Sequence, residues 1–229
     1  MTKKKIPTVV QDAEPTFGAL VAAYKVIVDH LRSKTGDNPE LADNFTGTPE
    51  RCVKALLQVS TSISDLREGI TEIVQKTFPV HRNADAKSYP AAGMVTQGPI
   101  HVSSLCPHHL APVLYECWVS YVPTLEGKVL GLSKFARLAK LLSARPLLQE
   151  QLASDLADVL YNGTVDFPGI HSSGSAVSLI GLHTCMACRG VEQRAVTTTT
   201  ELRGCYWDAN LESKFQAAIS LSHNARVNL

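Results

Sequence analysis

The chain has 229 residues, and its 22 Lys and Arg residues nearly balance 21 Asp and Glu residues, leaving a formal net charge of +1. Hydrophobic residues make up 45% of the chain and charged residues 19%, which excludes an intrinsically disordered protein. The balanced charge excludes the overall basic surface of a nucleic-acid-binding domain. Six cysteines are too few for a disulfide scaffold, and their uneven spacing favours metal binding or catalysis. The composition predicts a soluble, intracellular, enzyme-sized protein of one or two domains.

The N-terminal part of the chain is predicted to be helical. Lys3, Lys4 and Lys5 begin a solvated arm with no apolar run behind it, so we expect neither a secretory signal nor a membrane span. Apolar residues recur every three or four positions from Phe17 to Leu31, which indicates an amphipathic helix. A second helix is expected to begin with Thr48 as its N-cap, directly before Pro49.

The remainder of the chain mixes helices and strands. Residues His81 to Pro90 form a predicted loop, and the alternation of apolar and polar residues from Val113 to Tyr121 indicates a strand. We expect further helices from Ser133 to Arg145, from about Leu148 to Leu160 and around Leu211 to Leu221, and strands between Ala176 and Glu201. This order predicts an α+β fold with a mainly antiparallel sheet.

Two segments contain residues suited to a metal site. Cys106-Pro107-His108-His109 offers a thiolate and an imidazole within one turn, both of which zinc accepts. The segment around Cys185 is predicted to be a strand, where alternate side chains share a face, so Cys188 would point away from Cys185. The pattern therefore favours an open zinc site of Cys106, His109 and Cys185 over a closed structural site that includes Cys188.

Two further segments are candidates for binding a nucleotide. Gly131 to Arg137 joins a strand to a helix N-terminus, where backbone N–H groups and the cations Lys134 and Arg137 favour an anion. Arg189 is a third candidate cation. The pair Gln149-Glu150 suits the edge of a planar base, which a carboxylate binds through two N–H groups. A solvated helix surface explains both patterns equally well.

Five segments taken together resemble GTP cyclohydrolase I in their order and spacing: SSLCPHHLAPV, VLGLSKFARL, RPLLQEQL, LHTCMACRGV and VTTTTELRG. The resemblance extends from about Phe17 to Phe215. It implies the tunnelling (T-fold) α+β fold, an antiparallel sheet with paired helices and an N-terminal helical extension. On this basis we expect a flexible arm over residues 1–16, a helical region over 17–65 and a catalytic domain over 66–229. The family also implies a cytoplasmic, ring-shaped homodecamer with active sites at its subunit interfaces.

The resemblance implies an activity and a role for each candidate residue. The reaction converts GTP and water to 7,8-dihydroneopterin triphosphate and formate, the entry step to folate or biopterin synthesis. Cys106, His109 and Cys185 would bind Zn²⁺, while His108 and His183 would transfer protons, with Ser133 beside them in catalysis. The triphosphate contacts would be Ser133, Lys134, Arg137 and Arg189, and Gln149 with Glu150 would bind the guanine.

Two other functions are consistent with the same residues. The first is a T-fold relative that acts on a different purine or pterin, or stops after ring opening, with its zinc ligands intact. The second is a non-catalytic assembly protein in which the zinc is structural. These alternatives differ in whether the chain releases formate from GTP and in whether His108 and His183 matter for its role.

Overall fold

The structure is a computed structural model that describes residues 14–34, 40, 43–79, 93–124 and 128–226. The chain forms two compact units, divided between Gln58 and Val59. Most of the predicted arm and the whole predicted loop from His81 to Pro90 lie outside the described residues. The domain boundaries drawn from the resemblance stay predictions.

The first unit contains two helices that pack against each other, α1 (Phe17–Arg32) and α2 (Thr48–Leu57). The Thr16 hydroxyl caps α1 by accepting a hydrogen bond from the Ala19 backbone N–H at 3.3 Å. The predicted cap of α2 is wrong by one residue, because Gly47 is the N-cap and Thr48 is the first helical residue. Gly47 has φ +70°, a left-handed conformation that suits glycine, and the Thr48 hydroxyl accepts from Arg51 instead of capping.

The second unit contains the remaining elements. They are α3 (Ile63–Val74), β1 (Thr77–Pro79), β2 (Val95–Leu105), β3 (Pro112–Val122), β4 (Lys128–Leu130), α4 (Leu132–Ser143), α5 (Gln149–Val159), β5 (Gly174–His183), α6 (Thr184–Ala187), β6 (Val196–Gly204), a 3₁₀ turn (Cys205–Trp207) and α7 (Ala209–Arg226). Strands β2, β3, β5 and β6 form an antiparallel sheet in that order, and β1 pairs with β4. The predicted α+β class with antiparallel sheets is confirmed. In the described part of the chain, every helix is too short or too polar to cross a membrane.

The central strand β3 is buried on both faces for most of its length, which fixes the layers of the unit. One face belongs to the main core, formed by Val113, Tyr115, Cys117, Val119 and Tyr121 together with Leu138 and Leu142 of α4 and Leu152 and Leu156 of α5. On the other face, Trp118 and Val122 join a smaller cluster with Leu211 and Phe215 of α7. The period-two alternation of the sequence therefore corresponds to two different packing partners.

The start of α4 lies at the far end of β3. The Leu130 backbone N–H donates to the Tyr121 hydroxyl at 2.8 Å, so β4 ends and the following helix begins beside the C-terminal end of β3. The helix begins at Leu132 with Gly131 as its N-cap, so the prediction that Ser133 caps it is wrong. A Cβ on Gly131 would lie 3.0 Å from the Phe78 ring, which shows how closely this turn packs on β1.

Candidate active site

Three potential metal ligands meet where the β2–β3 hairpin turns beside the end of β5. The turn is closed by the Cys106 N–H, which donates to the Ala111 carbonyl at 2.9 Å, and by the Leu110 N–H, which donates to the Cys106 carbonyl at 2.8 Å. This places the His109 Nδ1 atom 3.8 Å from the Cys106 Sγ atom. Ligand atoms of Cys106, His109 and Cys185 all lie within 4.8 Å of one another. The structure thus brings together the three residues that the sequence pattern favoured.

Cys185 reaches this cluster from a helical turn. The prediction that a strand continues past Cys185 is wrong, because β5 ends at His183 and residues Thr184–Ala187 form α6. The Thr184 hydroxyl donates to the Pro112 carbonyl at 2.6 Å, which ties the turn to the start of β3. Cys188 is exposed and lies outside the three-residue cluster. Alternating strand faces therefore do not explain why Cys188 lies apart, although the three predicted ligands are the ones that lie together.

The donor set fits a zinc ion. In a tetrahedral zinc site the sulfur and nitrogen ligands are about 3.6 Å apart, close to the 3.8 Å between Cys106 and His109. Burial raises the pKa of the Cys185 thiol, and the adjacent Cys106 raises it further, because two neighbouring thiolates repel. A bound divalent cation would favour both thiolates and so lower the pKa of Cys185. Three protein ligands are the number that a catalytic zinc carries, whereas a structural zinc has four.

The cluster borders a cavity of about 350 Å³. Its lining includes His108, Glu150 and His183 beside the three candidate ligands. Glu150 is exposed in the first turn of α5, and among the described residues its carboxylate has no hydrogen bond or ion pair. Burial lowers the pKa of His183 below the usual range of histidine, against the opposing effect of the Glu150 charge. The cavity therefore combines an available carboxylate with two histidines next to the metal cluster.

Gln149 is buried, with only 2% of its surface exposed, so a solvent-facing pair is excluded for this residue. Its Nε2 atom lies 2.9 Å from the Thr197 carbonyl, 3.2 Å from the Leu179 carbonyl and 3.0 Å from the Thr199 hydroxyl. Its Oε1 atom lies 3.0 Å from Nε2 of His183. Both polar atoms of the amide thus have partners within the protein.

The candidate anion-binding residues divide between the two ends of the sheet. Arg189 is close enough to Cys185 to favour its thiolate, so it belongs to the metal end. Ser133, Lys134 and Arg137 begin α4, which starts beside Tyr121. Because Val113 pairs with His183 at the metal end, the eight residue steps from Val113 to Tyr121 separate the metal end from the start of α4 by about 26 Å along β3. One chain does not bring these residues to one site.

Lys134 is unusual among the cations at the start of α4. Only 8% of its surface is exposed. Burial lowers the pKa of its ammonium group, and the positive charges of Arg137 and Lys76 lower it further. Like charges are therefore concentrated at this helix start, an arrangement that a bound anion would stabilise.

Comparisons with known proteins identify the family. A family model described as GTP cyclohydrolase I matches residues 25–220. The chain belongs to the GTP cyclohydrolase I family. It is 35% identical over 178 residues to GTP cyclohydrolase 1 of Corynebacterium glutamicum, covering 77% of this chain and 81% of that relative. It is 33% identical over 172 residues to GTP cyclohydrolase 1 of Saccharolobus islandicus, covering 75% and 76% of the two chains.

Membership of the GTP cyclohydrolase I family makes the chain an enzyme, with GTP as the substrate that the family name implies. Among solved structures, an archaeosine synthase QueF-Like in the apo form aligns with a TM-score of 0.36 and 18% identity, covering 48% of this chain and 93% of that one. The family assignment does not depend on this structure.

One neighbour of His183 and two partners of Gln149 were not predicted from the sequence. The Tyr115 ring meets the His183 ring edge to face, with centroids 6.3 Å apart and planes at 90°. The threonine run of β6 supplies the acceptors for Gln149 through Thr197 and Thr199. The pairing of β3 with β5 and of β5 with β6 brings these residues together, and no local sequence pattern signals it.

Proposed function

We propose that the protein is a zinc-dependent GTP cyclohydrolase I that hydrolyses GTP at C8 to give 7,8-dihydroneopterin triphosphate and formate. The observation that supports this most directly is the cluster of Cys106, His109 and Cys185 beside a cavity that also contains Glu150 and His183. A zinc ion held by these three residues would activate water near neutral pH for attack on C8. Glu150 would bind the guanine edge by accepting two N–H bonds.

The two histidines of the cavity have the proton-transfer role. The ring nitrogen released from C8 and the ribose ring oxygen each need a proton as their bonds to carbon break, and histidine exchanges protons near neutral pH. His108 and His183 both line the cavity; in the chain His108 directly precedes His109, and His183 lies two residues before Cys185. Their position beside the metal ligands is what makes them candidates for this role.

The triphosphate site would be completed by a second subunit. Arg189 lies at the metal end of its own chain, whereas the helix that carries Ser133, Lys134 and Arg137 begins about 26 Å away along β3. We therefore assign these three residues to the site of a neighbouring subunit, in a homo-oligomer that we take to be a T-fold decamer located in the cytoplasm. Ser133 would act at that neighbour's catalytic centre.

A turnover assay tests the proposal. Zinc-loaded protein incubated with GTP should release formate and, after oxidation, a fluorescent pterin, both measured by chromatography. Cys185→Ser protein, treated identically, should release neither. Failure of the zinc-replete protein to release formate would contradict the proposal. Formate with a different second product would instead indicate a relative that stops after ring opening.

A further inference from the structure

The hydrogen bonds around Gln149 determine which way its amide faces. The Leu179 and Thr197 groups that contact one end of the amide are backbone carbonyls, which can only accept. The amide nitrogen must therefore face these carbonyls, and the amide oxygen must face His183. An amide oxygen can only accept, so the His183 Nε2 atom, 3.0 Å away, must carry a hydrogen.

We propose that Gln149 is a positioning residue that holds neutral His183 in the Nε2–H tautomer and does not contact the guanine. This rests on the proposed role of His183 in proton transfer. With Nε2 occupied as a donor to Gln149, the lone pair of the neutral ring lies on Nδ1. Nδ1 is then the atom through which His183 accepts and returns protons during the reaction.

The surroundings of Gln149 are built to keep its amide in place. Its single amide nitrogen is shared among three acceptors on β5 and β6, so rotation would break several hydrogen bonds together. Gly181 leaves the space that the amide oxygen occupies, because a Cβ at that position would overlap the Gln149 Oε1 atom. The neighbouring Glu150, by contrast, is exposed to the cavity and free to bind a base.

A spectroscopic experiment tests the tautomer without altering Gln149. In zinc-loaded, ¹⁵N-histidine-labelled wild-type protein at about pH 8.5, the ring is neutral, well above the ordinary histidine pKa of about 6.5. Solid-state ¹⁵N spectra, correlated with the adjacent ring carbons and assigned by loss of the signals in His183→Ala, should show the hydrogen on Nε2. A hydrogen on Nδ1 would overturn the proposal. This outcome can be read even if the protein does not convert GTP, so the two proposals can fail separately.

Kinetics test the consequence for catalysis. Gln149→Met should lower kcat by about 10- to 100-fold, as for other residues that orient a functional side chain, with the KM for GTP changed less than about twofold. The variant Gln149→Met/His183→Ala should be no slower than His183→Ala alone, because Gln149 acts through His183. A raised KM with unchanged kcat, or losses that multiply in the double variant, would overturn the proposal.

Two further variants separate positioning from general damage. Gln151→Met makes the same replacement two residues along α5, where the side chain is exposed and bonds Asp155, and it should keep the wild-type kcat. Gly181→Ala leaves Gln149 in the sequence, but its Cβ would displace the Gln149 amide and crowd the Tyr115 ring, so it should reproduce the loss of kcat while retaining bound zinc. Wild-type kcat in Gly181→Ala, in a protein whose unfolding midpoint is unchanged, would count against the positioning role.

Discussion

The backbone N–H of Leu130 donates a 2.8 Å hydrogen bond to the hydroxyl of Tyr121, at the end of β3 that lies away from Cys106. This bond joins the start of α4 to a stiff strand and keeps Lys134 far from the metal cluster of the same chain. A complete site would then need the metal end of one subunit and the α4 start of another.

Mixed oligomers should therefore recover activity from two inactive variants. Each site would have a metal half, from the metal end of one subunit, and an anion half, from the α4 start of another. Cys185→Ser disables the metal half and Lys134→Ala disables the anion half. In co-expressed, randomly assorted subunits about a quarter of the sites combine two intact halves, so activity should return to at most about a quarter of the wild-type rate. Formate release by doubly tagged, co-purified oligomers measures this. Cys185→Ser mixed with His183→Ala is the control, because both changes fall in the same half, and recovery there would contradict the shared site.

Metal content should distinguish the three candidate ligands from their neighbour. We expect about one zinc per chain in the wild type and loss of most of it in Cys106→Ser, His109→Ala and Cys185→Ser, because each removes one of three ligands. Cys188→Ser should keep the wild-type amount, since Cys188 is exposed and outside the cluster. Elemental analysis of freshly purified protein checks this, and loss of zinc in Cys188→Ser would indicate a closed, four-ligand site.

Glu150 should determine the preference for guanine. Glu150→Gln removes a charged acceptor from the base edge, so kcat/KM for GTP should fall roughly 10- to 100-fold. The kcat/KM for inosine triphosphate, which lacks the 2-amino group, should fall less. The ratio of kcat/KM for GTP to that for inosine triphosphate should therefore shrink. Glu212→Gln changes a comparable exposed residue in the first turn of α7 and should alter neither value. An unchanged preference in Glu150→Gln would place guanine recognition elsewhere.

Much of this arrangement could be predicted from the sequence, because it depends on local patterns. The alternation along β3 and the donor chemistry of Cys106 and His109 need no tertiary information. Strand β2 gave no such signal, since Gly98-Pro99 interrupts it where its pairing with β3 shifts register. The engagement of Gln149 was also invisible, because its acceptors converge only through the pairing of β5 with β6.

Replacing Lys134 should stabilise the fold and weaken the binding of GTP. Because the pKa of Lys134 is lower in the folded chain than its ordinary value of 10.5, stability should rise with pH between the lowered value and about 10.5. Lys134→Met should raise the unfolding midpoint at neutral pH, abolish that rise, and increase the KM for GTP about 10-fold or more.

Thermal unfolding at several pH values, together with steady-state kinetics, measures these effects of Lys134→Met. Lys140→Met, at an exposed position in the last turn of the same helix, is the matched control. It should leave the unfolding midpoint, the rise of stability with pH and the KM for GTP unchanged. A lower midpoint for Lys134→Met than for Lys140→Met would show that the charged Lys134 side chain stabilises the fold.

The separation of the two half-sites along β3 also constrains how subunits can be arranged. A chain that presents a different half at each end of a rigid strand can pair with one neighbour about a twofold axis, which completes both sites, or can join its neighbours head to tail. A head-to-tail assembly either grows as an open filament, with one unmatched half at each end, or closes into a ring. Only a closed assembly has as many complete sites as chains. The number of active sites per subunit, measured by titration, should therefore be one for a closed assembly and lower for an open one.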